Sequence, residues 1–257
     1  MSWPVVPLGG LIEDITAGKS FGASNAPAGD GQWGIIKVSA MTWGRFKPEE
    51  NKAVPAELAD PRFEIREGDL LVSRANTAEY VGASVLVRSV RPKLLLSDKS
   101  LRLTPKSGVC PEWLWYTLQT PEVRSQIREL ATGTKDSMRN ISQSALRAIQ
   151  ILLPPLDEQR RIVELLEDHL SRLDAAARSL LTASRRLKAL QGSLLEEYFA
   201  GGRLVPLDSL VTDISAGKSF GTANTPADDD EWGIIKVSAM TWGEFRAAEN
   251  KAVSAGK

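Results

Sequence analysis

The chain has 257 residues, in which 32 Lys and Arg are balanced by 32 Asp and Glu, with a single His and a single Cys. One cysteine excludes an internal disulfide framework and fits a reducing cytoplasm, and one Cys with one His cannot supply the usual ligands of a zinc site, so no metal is expected. Zero net charge argues, taken alone, against a nonspecific polyanion binder.

The opening MSWPVVPLGG lacks a basic flank leading into an apolar core, so no signal peptide is expected. No stretch approaches the roughly 20 apolar residues of a membrane helix. The first motif in chain order is AGKSFG at 17–22. A phosphate-binding loop of the Walker type needs a Gly five residues before its Gly-Lys-Ser, and that position is Glu13. Nucleotide hydrolysis is therefore not expected, and no cofactor is predicted. A Gly-Lys-Ser turn can instead present its amides, Lys19 and Ser20 to a phosphate; an exposed polar turn has the same composition. WGIIKVS at 33–39, LLVS at 70–73 after a Gly68-Asp69 turn, and ASVLVRSV at 83–90 read as strands. LLLSDKSLRL at 94–103 reads as paired strand with a short turn. From Glu112 to Ala131 the spacing is helical, with Leu114, Leu118, Val123, Ile127 and Leu130 on one side and Pro121 opening a new turn.

Two polar and basic clusters lie at loop-like positions, 73–77 (SRANT) and 132–140 (TGTKDSMRN). Arg pairs bidentately with guanine and Asn with adenine, each contact contributing about 1–3 kcal/mol of base discrimination. Ordinary surface loops carry these residues too. Beyond Pro154-Pro155 the pattern changes. From Leu156 to about Phe199 the sequence is uninterrupted and helix-forming, with apolar residues at alternating steps of three and four: Val163, Leu166, Leu170, Leu173, Ala177, Leu180, Leu187, Leu194 and Tyr198. Ser184 and Gln191 interrupt that seam, Gly192 weakens the helix locally, and Gly201-Gly202 ends it. Such a period over about five heptads is that of a coiled coil. The chain has no second helix of that length, so the seam predicts a partner, either another polypeptide or another copy. His169 falls off the seam and reads as a solvated or flanking residue. No catalytic constellation is recognisable, and the chain is not expected to be an enzyme.

The chain also repeats itself. Residues 6–54 recur at 205–253 with a constant offset and 34 identities in 49 positions; Trp33–Gly44 matches Trp232–Gly243 without a change. The Walker glycine fails again, at Thr212. Two copies this far apart describe a domain, a connector and the opening of a second domain, not a solenoid.

The segment ATGTKDSMRNIS (131–142), then LRAIQILLPPLDEQRRIVELLE (146–167), then a long helix ending SLLEEYFAGGRLVPL (193–207), resembles the specificity subunit of type I restriction–modification systems. The LPPLxEQxxIVxLL portion (153–166) is the most specific part, and REGDLLVSRAN with YVG (66–82) is similar to the middle of a recognition domain of that family. The resemblance implies an α+β protein: a target-recognition domain of short strands and helices over 1–152, a coiled-coil spacer helix over 153–200, and the N-terminal portion of a second recognition domain over 204–257. It implies double-stranded DNA, a methyltransferase (modification) subunit and a restriction endonuclease subunit as partners, with no catalysis by the chain itself. It makes 17–25, 37–45, 73–79 and 132–140 the DNA-facing segments, with Lys19, Ser20, Lys37, Arg74, Asn76, Lys135, Arg139 and Asn140 as candidate contacts. Because the second spacer helix of the family's pattern is missing, two chains are expected to pair antiparallel as a homodimer through 163–198. Two other readings stay open: a nonfunctional remnant or recombination donor exposing Ile234, Ile235, Val237 and Trp242, and a coiled-coil interaction protein without DNA affinity. Charge is unevenly spread, since residues 1–150 hold 19 basic and 16 acidic side chains.

Overall fold

The computed structural model describes residues 3–42, 44–136, 138–241 and 243–253. Its contacts divide it into two units, Met1–Ser184 and Arg185–Lys257.

The first unit is α+β. Its strands are β1 (Val5–Pro7), β2 (Ile12–Ala17), β3 (Gly34–Ile36), β4 (Asn51–Ala53), β5 (Leu70–Ser73), β6 (Ala75–Asn76), β7 (Ser84–Leu86), β8 (Leu94–Leu95) and β9 (Ser100–Pro105). Helices α1 (Pro111–Leu118) and α2 (Pro121–Leu130) follow, then strands β10 (Thr132–Lys135) and β11 (Met138–Asn140), helix α3 (Gln143–Ala148), strand β12 (Gln150–Leu152) and the long helix α4 (Leu156–Phe199), whose residues after Ser184 are counted with the second unit. The central sheet is antiparallel in the order β2-β9-β5-β7. It is covered on both faces. Because strand side chains alternate, Leu70 and Val72 of β5 enter one core with Leu101, Leu103 and the helices, while Leu71 enters a second with Val85, Leu94 and Met41.

Several expectations are corrected here. The 94–103 segment does contain two strands and a turn, but they do not pair with each other: β8 adds parallel to β3, whereas β9 lies between β2 and β5. The strands expected over 33–39 and 83–90 are shorter, and Val38–Met41 forms a 3-10 turn. Leu130 points to solvent, because α2 ends there and Ala131, already extended, takes the buried position. Helices α1 and α2 both begin with proline at the first turn, where no intrahelical N–H is needed. The extended Thr120 that Pro121 requires separates them.

One ion pair stands largely inside. Arg102 Nε of β9 lies 2.9 Å from Asp69 Oδ2, both side chains under a fifth exposed, and the same carboxylate accepts the Arg66 N–H. Burial pushes the Asp69 carboxyl above its ordinary range, against the pull of the Arg66 amide and Arg102. Arg102→Met would leave a buried carboxylate without its cation and is expected to cost about 3 kcal/mol. An acid whose folded pKa is raised weakens the fold as pH climbs past its unfolded value of about 4. The deficit of the variant should therefore shrink in urea titrations as pH falls toward that value; a deficit independent of pH would contradict the assignment.

In the second unit, β13 (Gly233–Ile235) and β14 (Asn250–Ala252) pair in the register of β3 and β4. The Val237–Met240 turn repeats Val38–Met41. Asn250 accepts the Ala227 N–H and donates to Ala247 O, as Asn51 does with Ala28 and Pro48. These elements form twice because the hydrogen bonds that join them to one another are local; in the first copy β3 also takes β8 as a parallel neighbour. Residues 204–206 and 211–216, the counterparts of β1 and β2, form no strand. In the first unit those strands are completed by β12 and β9, far along the chain. Among the described residues no helix is long and apolar enough to cross a membrane.

Candidate nucleic-acid interface

The two polar clusters expected to be loops are strands of one small sheet, ordered β10-β11-β6. Arg139 stands opposite Asn76 and Asn140 opposite Ala75, so residues more than sixty apart in sequence share one surface. Alternation buries Ser73 and Ala75 and leaves Arg74 exposed. The sheet is tied to the scaffold from both ends: Arg74 O accepts the Ile141 N–H at 3.0 Å, and the Ala78 N–H donates to Asp136 O at 2.8 Å. Gly133 sits at φ +140°, and a Cβ there would come within 2.5 Å of Met138 O, so the hairpin closes only around glycine.

The turn between β8 and β9 joins this sheet to the Gly-Lys-Ser turn. Lys99 O accepts the Arg74 N–H at 2.8 Å; on the other side Leu96 O accepts the Lys19 N–H at 3.3 Å and Ser100 O accepts the Gly18 N–H at 3.1 Å. The turn is locked by the buried Ser97 and Ser100 hydroxyls, 2.8 Å apart. Lys19, Ser20, Lys99, Arg74, Lys135 and Asn140 are all exposed on these connected segments. Lys99 was not among the sequence candidates. Its only signal was a lysine in a polar turn between apolar strands.

The candidates are not equivalent. The Arg139 guanidinium donates to Ala131 O at 2.7 Å and Gly133 O at 3.2 Å, so it braces the hairpin. Asn76 is similarly engaged, donating to Ser73 Oγ and accepting the Thr77 N–H. Lys37 lies outside the group: its ammonium donates to Glu50 Oε2 at 3.0 Å, as does Ser39 Oγ at 2.7 Å, and the serine and lysine bonds hold the Glu50 carboxyl below the usual range. Lys236, Ser238 and Glu249 repeat the arrangement in the second copy. Trp43, Ser137 and Trp242, within or near the predicted segments, lie outside the described residues.

The LPPLxEQ segment is explained by one side chain. Gln159 is 1% exposed. Its Oε1 accepts the Cys110 N–H at the start of α1 and its Nε2 donates to Pro154 O, both at 2.9 Å. Two turns later Glu167 pairs with Arg88 at 2.5 Å, and Arg88 lies over the Trp115 ring. Ile162 and Val163 pack against the first core. The start of α4 is thus fixed to the domain by a buried amide, an ion pair and apolar contact. Gln159→Leu leaves both buried backbone groups unpaired and is expected to cost about 1–3 kcal/mol; an unchanged urea midpoint would contradict that role.

From Leu166 onward the α4 seam is exposed, Leu173 at 66% and Leu180 at 72%. The helix is continuous through Gly192, and Gly201 follows it at φ +80°.

Comparison with known proteins places these features. The model of the type I restriction modification DNA specificity domain matches residues 2–182. The chain belongs to that family. This specificity-domain protein is 30% identical over 199 residues to the specificity subunit of the type I restriction enzyme EcoEI of Escherichia coli, covering 76% of this chain and 34% of that protein. It is 24% identical over 192 residues to the EcoKI specificity subunit of Escherichia coli strain K12, covering 74% and 41%. The HsdS subunit from Thermoanaerobacter tengcongensis shares its fold, with a TM-score of 0.51, 22% identity, and 79% of this chain against 46% of that one. So does a chain from a type I R-M system solved for its complex assembly and conformational transition, with a TM-score of 0.56, 24% identity, and coverage of 79% and 47%. The specificity-domain protein spans less than half the length of each.

Proposed function

We propose that this protein is a noncatalytic, sequence-specific DNA-recognition component of a type I restriction–modification complex. Residues 1–152 form the complete target-recognition domain and read one half-site, 153–200 form the spacer helix, and 204–257 open a second recognition domain. The observation that carries the reading is the joined surface of β10-β11-β6 and the Lys99 turn, which gathers exposed Arg, Asn and Lys on rigid strands in a chain of the specificity family. Lys19, Lys99 and Lys135 contact phosphates; Arg74 and Asn140 face the bases, positioned by Arg139 and Asn76. Methylation and cleavage belong to partner subunits that dock on the spacer. The seam of 163–198, exposed from Leu166 onward, supports antiparallel pairing of two chains, giving a twofold particle that reads a split palindrome.

The test is duplex binding by anisotropy, with the modification subunit present, as salt is raised. Log affinity should fall linearly with log salt, with a slope of about −0.9 for each phosphate contacted. A flat salt response would contradict DNA recognition and favour a protein-only role for the coiled coil.

A further inference from the structure

Residues 74–81 leave β5 at Ser73 and come back to it. The Gly82 N–H donates to Ser73 O at 2.7 Å, and the Ser73 N–H to Ala83 O at 2.8 Å. Between these ends the backbone is held at every step. β6 pairs with β11, and the Ala78 N–H reaches the hairpin tip at Asp136 O. The turn that follows closes on itself, with the Tyr80 and Val81 N–H groups both donating to Thr77 O, at 3.1 and 2.8 Å. Val81 is fully buried. The turn is also seated on α2. Gly82 stands at φ +72°, where a Cβ would overlap the Ile127 side chain. Arg124 Nη2 donates to Glu79 O at 2.8 Å, while its Nη1 is shut from solvent without a partner. A plain connector between β6 and β7 needs no such fixing, whereas a surface that must present side chains in one geometry does.

Three side chains of the turn stand exposed: Thr77, Glu79 and Tyr80. Glu79 is the one acid in 74–81, and its carboxylate makes no hydrogen bond or ion pair among the described residues. Beside a duplex an unpaired carboxylate repels phosphates and opposes the lysines around it. It becomes favourable at one kind of place, a base edge that offers a donor. In the major groove cytosine offers its N4 amino group, whereas adenine sets the N7 acceptor beside its amino group and so opposes a group that only accepts. We propose that Glu79 is a specificity-determining residue, accepting a hydrogen bond from the amino group of a cytosine in the recognised half-site, with Arg124 as its positioning residue. This rests on the DNA-recognition reading above. The two effects of the carboxylate have opposite signs: it weakens binding to every duplex and strengthens binding only where a cytosine meets it, so discrimination rises from both sides.

The experiment is enrichment from a pool of randomised duplexes by the full chain with its modification subunit, followed by sequencing of the bound fraction. The parent should enrich a motif with a C·G pair at one position that Glu79→Gln leaves indifferent, a loss of about tenfold to a hundredfold in preference there with the other positions kept. Glu79→Ala should lose the same preference and yet bind the unselected pool more tightly than the parent at low salt, about twofold or more. Arg124→Gln should weaken preference at that position more than elsewhere, whereas loss of a merely structural residue would lower all positions evenly. Should Arg124→Gln not fold, the two Glu79 variants decide alone, since that side chain is exposed. A motif unchanged by Glu79→Gln, or relaxed at a position other than a C·G pair, would overturn the role and leave DNA recognition standing, as would Glu79→Ala tightening selected and unselected duplexes alike. A parent that enriches no motif would overturn both.

Discussion

Leu173→Lys with Leu180→Lys is expected to convert the chain from a dimer into a monomer. Both side chains are more than half exposed at the middle of the α4 seam, and burying a leucine is worth about 1.5–3 kcal/mol. In an antiparallel pair each substitution occurs twice, and each places an ammonium in an apolar seam. The combined loss should exceed about 5 kcal/mol, more than a thousandfold in the dissociation constant. Light scattering at micromolar concentration should give twice the 28.0 kDa chain mass for the parent and the single mass for the variant. A monomeric parent would refute the pairing. The opposite change has the opposite sign: Gln191→Leu fills one of the two polar seam positions and should tighten association, at some loss of register.

Arg74→Ala and Asn140→Ala are each expected to weaken binding to the recognised duplex about tenfold to a hundredfold and to relax specificity at one base position. Both side chains are exposed, Asn140 on β11 and Arg74 at the bend between β5 and β6, and the Arg74 guanidinium makes no hydrogen bond or ion pair among the described residues. Lys99→Ala and Lys135→Ala should instead lower affinity for all sequences alike and reduce the salt slope by about one unit each. Arg139→Ala should differ from both groups. Its guanidinium supports the hairpin through Ala131 O and Gly133 O, so its loss should reduce specific binding together with protection of the Thr132–Asn140 amides from hydrogen exchange. Lys37→Ala should leave DNA affinity within about twofold, since its ammonium serves Glu50. Equal effects of Lys37→Ala and Arg74→Ala would remove the distinction drawn between them.

The features legible in the sequence are the local ones. Helix α4 spans Leu156–Phe199, the bounds read from Pro154-Pro155 and the helix-forming sequence that follows, because a helix satisfies its hydrogen bonds within itself. LLVS is β5, residue for residue. The β10-β11-β6 sheet was not legible. TGTK and MRN have no alternation of apolar and polar residues, and the contact between Arg139 and Asn76 joins strands from distant parts of the chain. Lys99 was hidden for the same reason, since its importance comes from the two segments that its turn brings together. Lys37 and Arg139 looked like free contacts by residue type; their partners, Glu50 and two backbone carbonyls, are set by the fold. Gln159 shows the converse. The motif identifies the family, but only the buried bonds to Cys110 and Pro154 say what the glutamine does. The second copy divides along the same line, its β13-β14 hairpin forming on local bonds while 211–216 remains without a strand.

The most direct measurement is the methylome of a host expressing this chain with its modification subunit. One new split motif is expected, its two halves the same sequence on opposite strands, and on Arg74→Ala it should become less fully methylated and degenerate at one position of each half. Absence of any new methylation, or a motif with two unlike halves, would contradict that expectation.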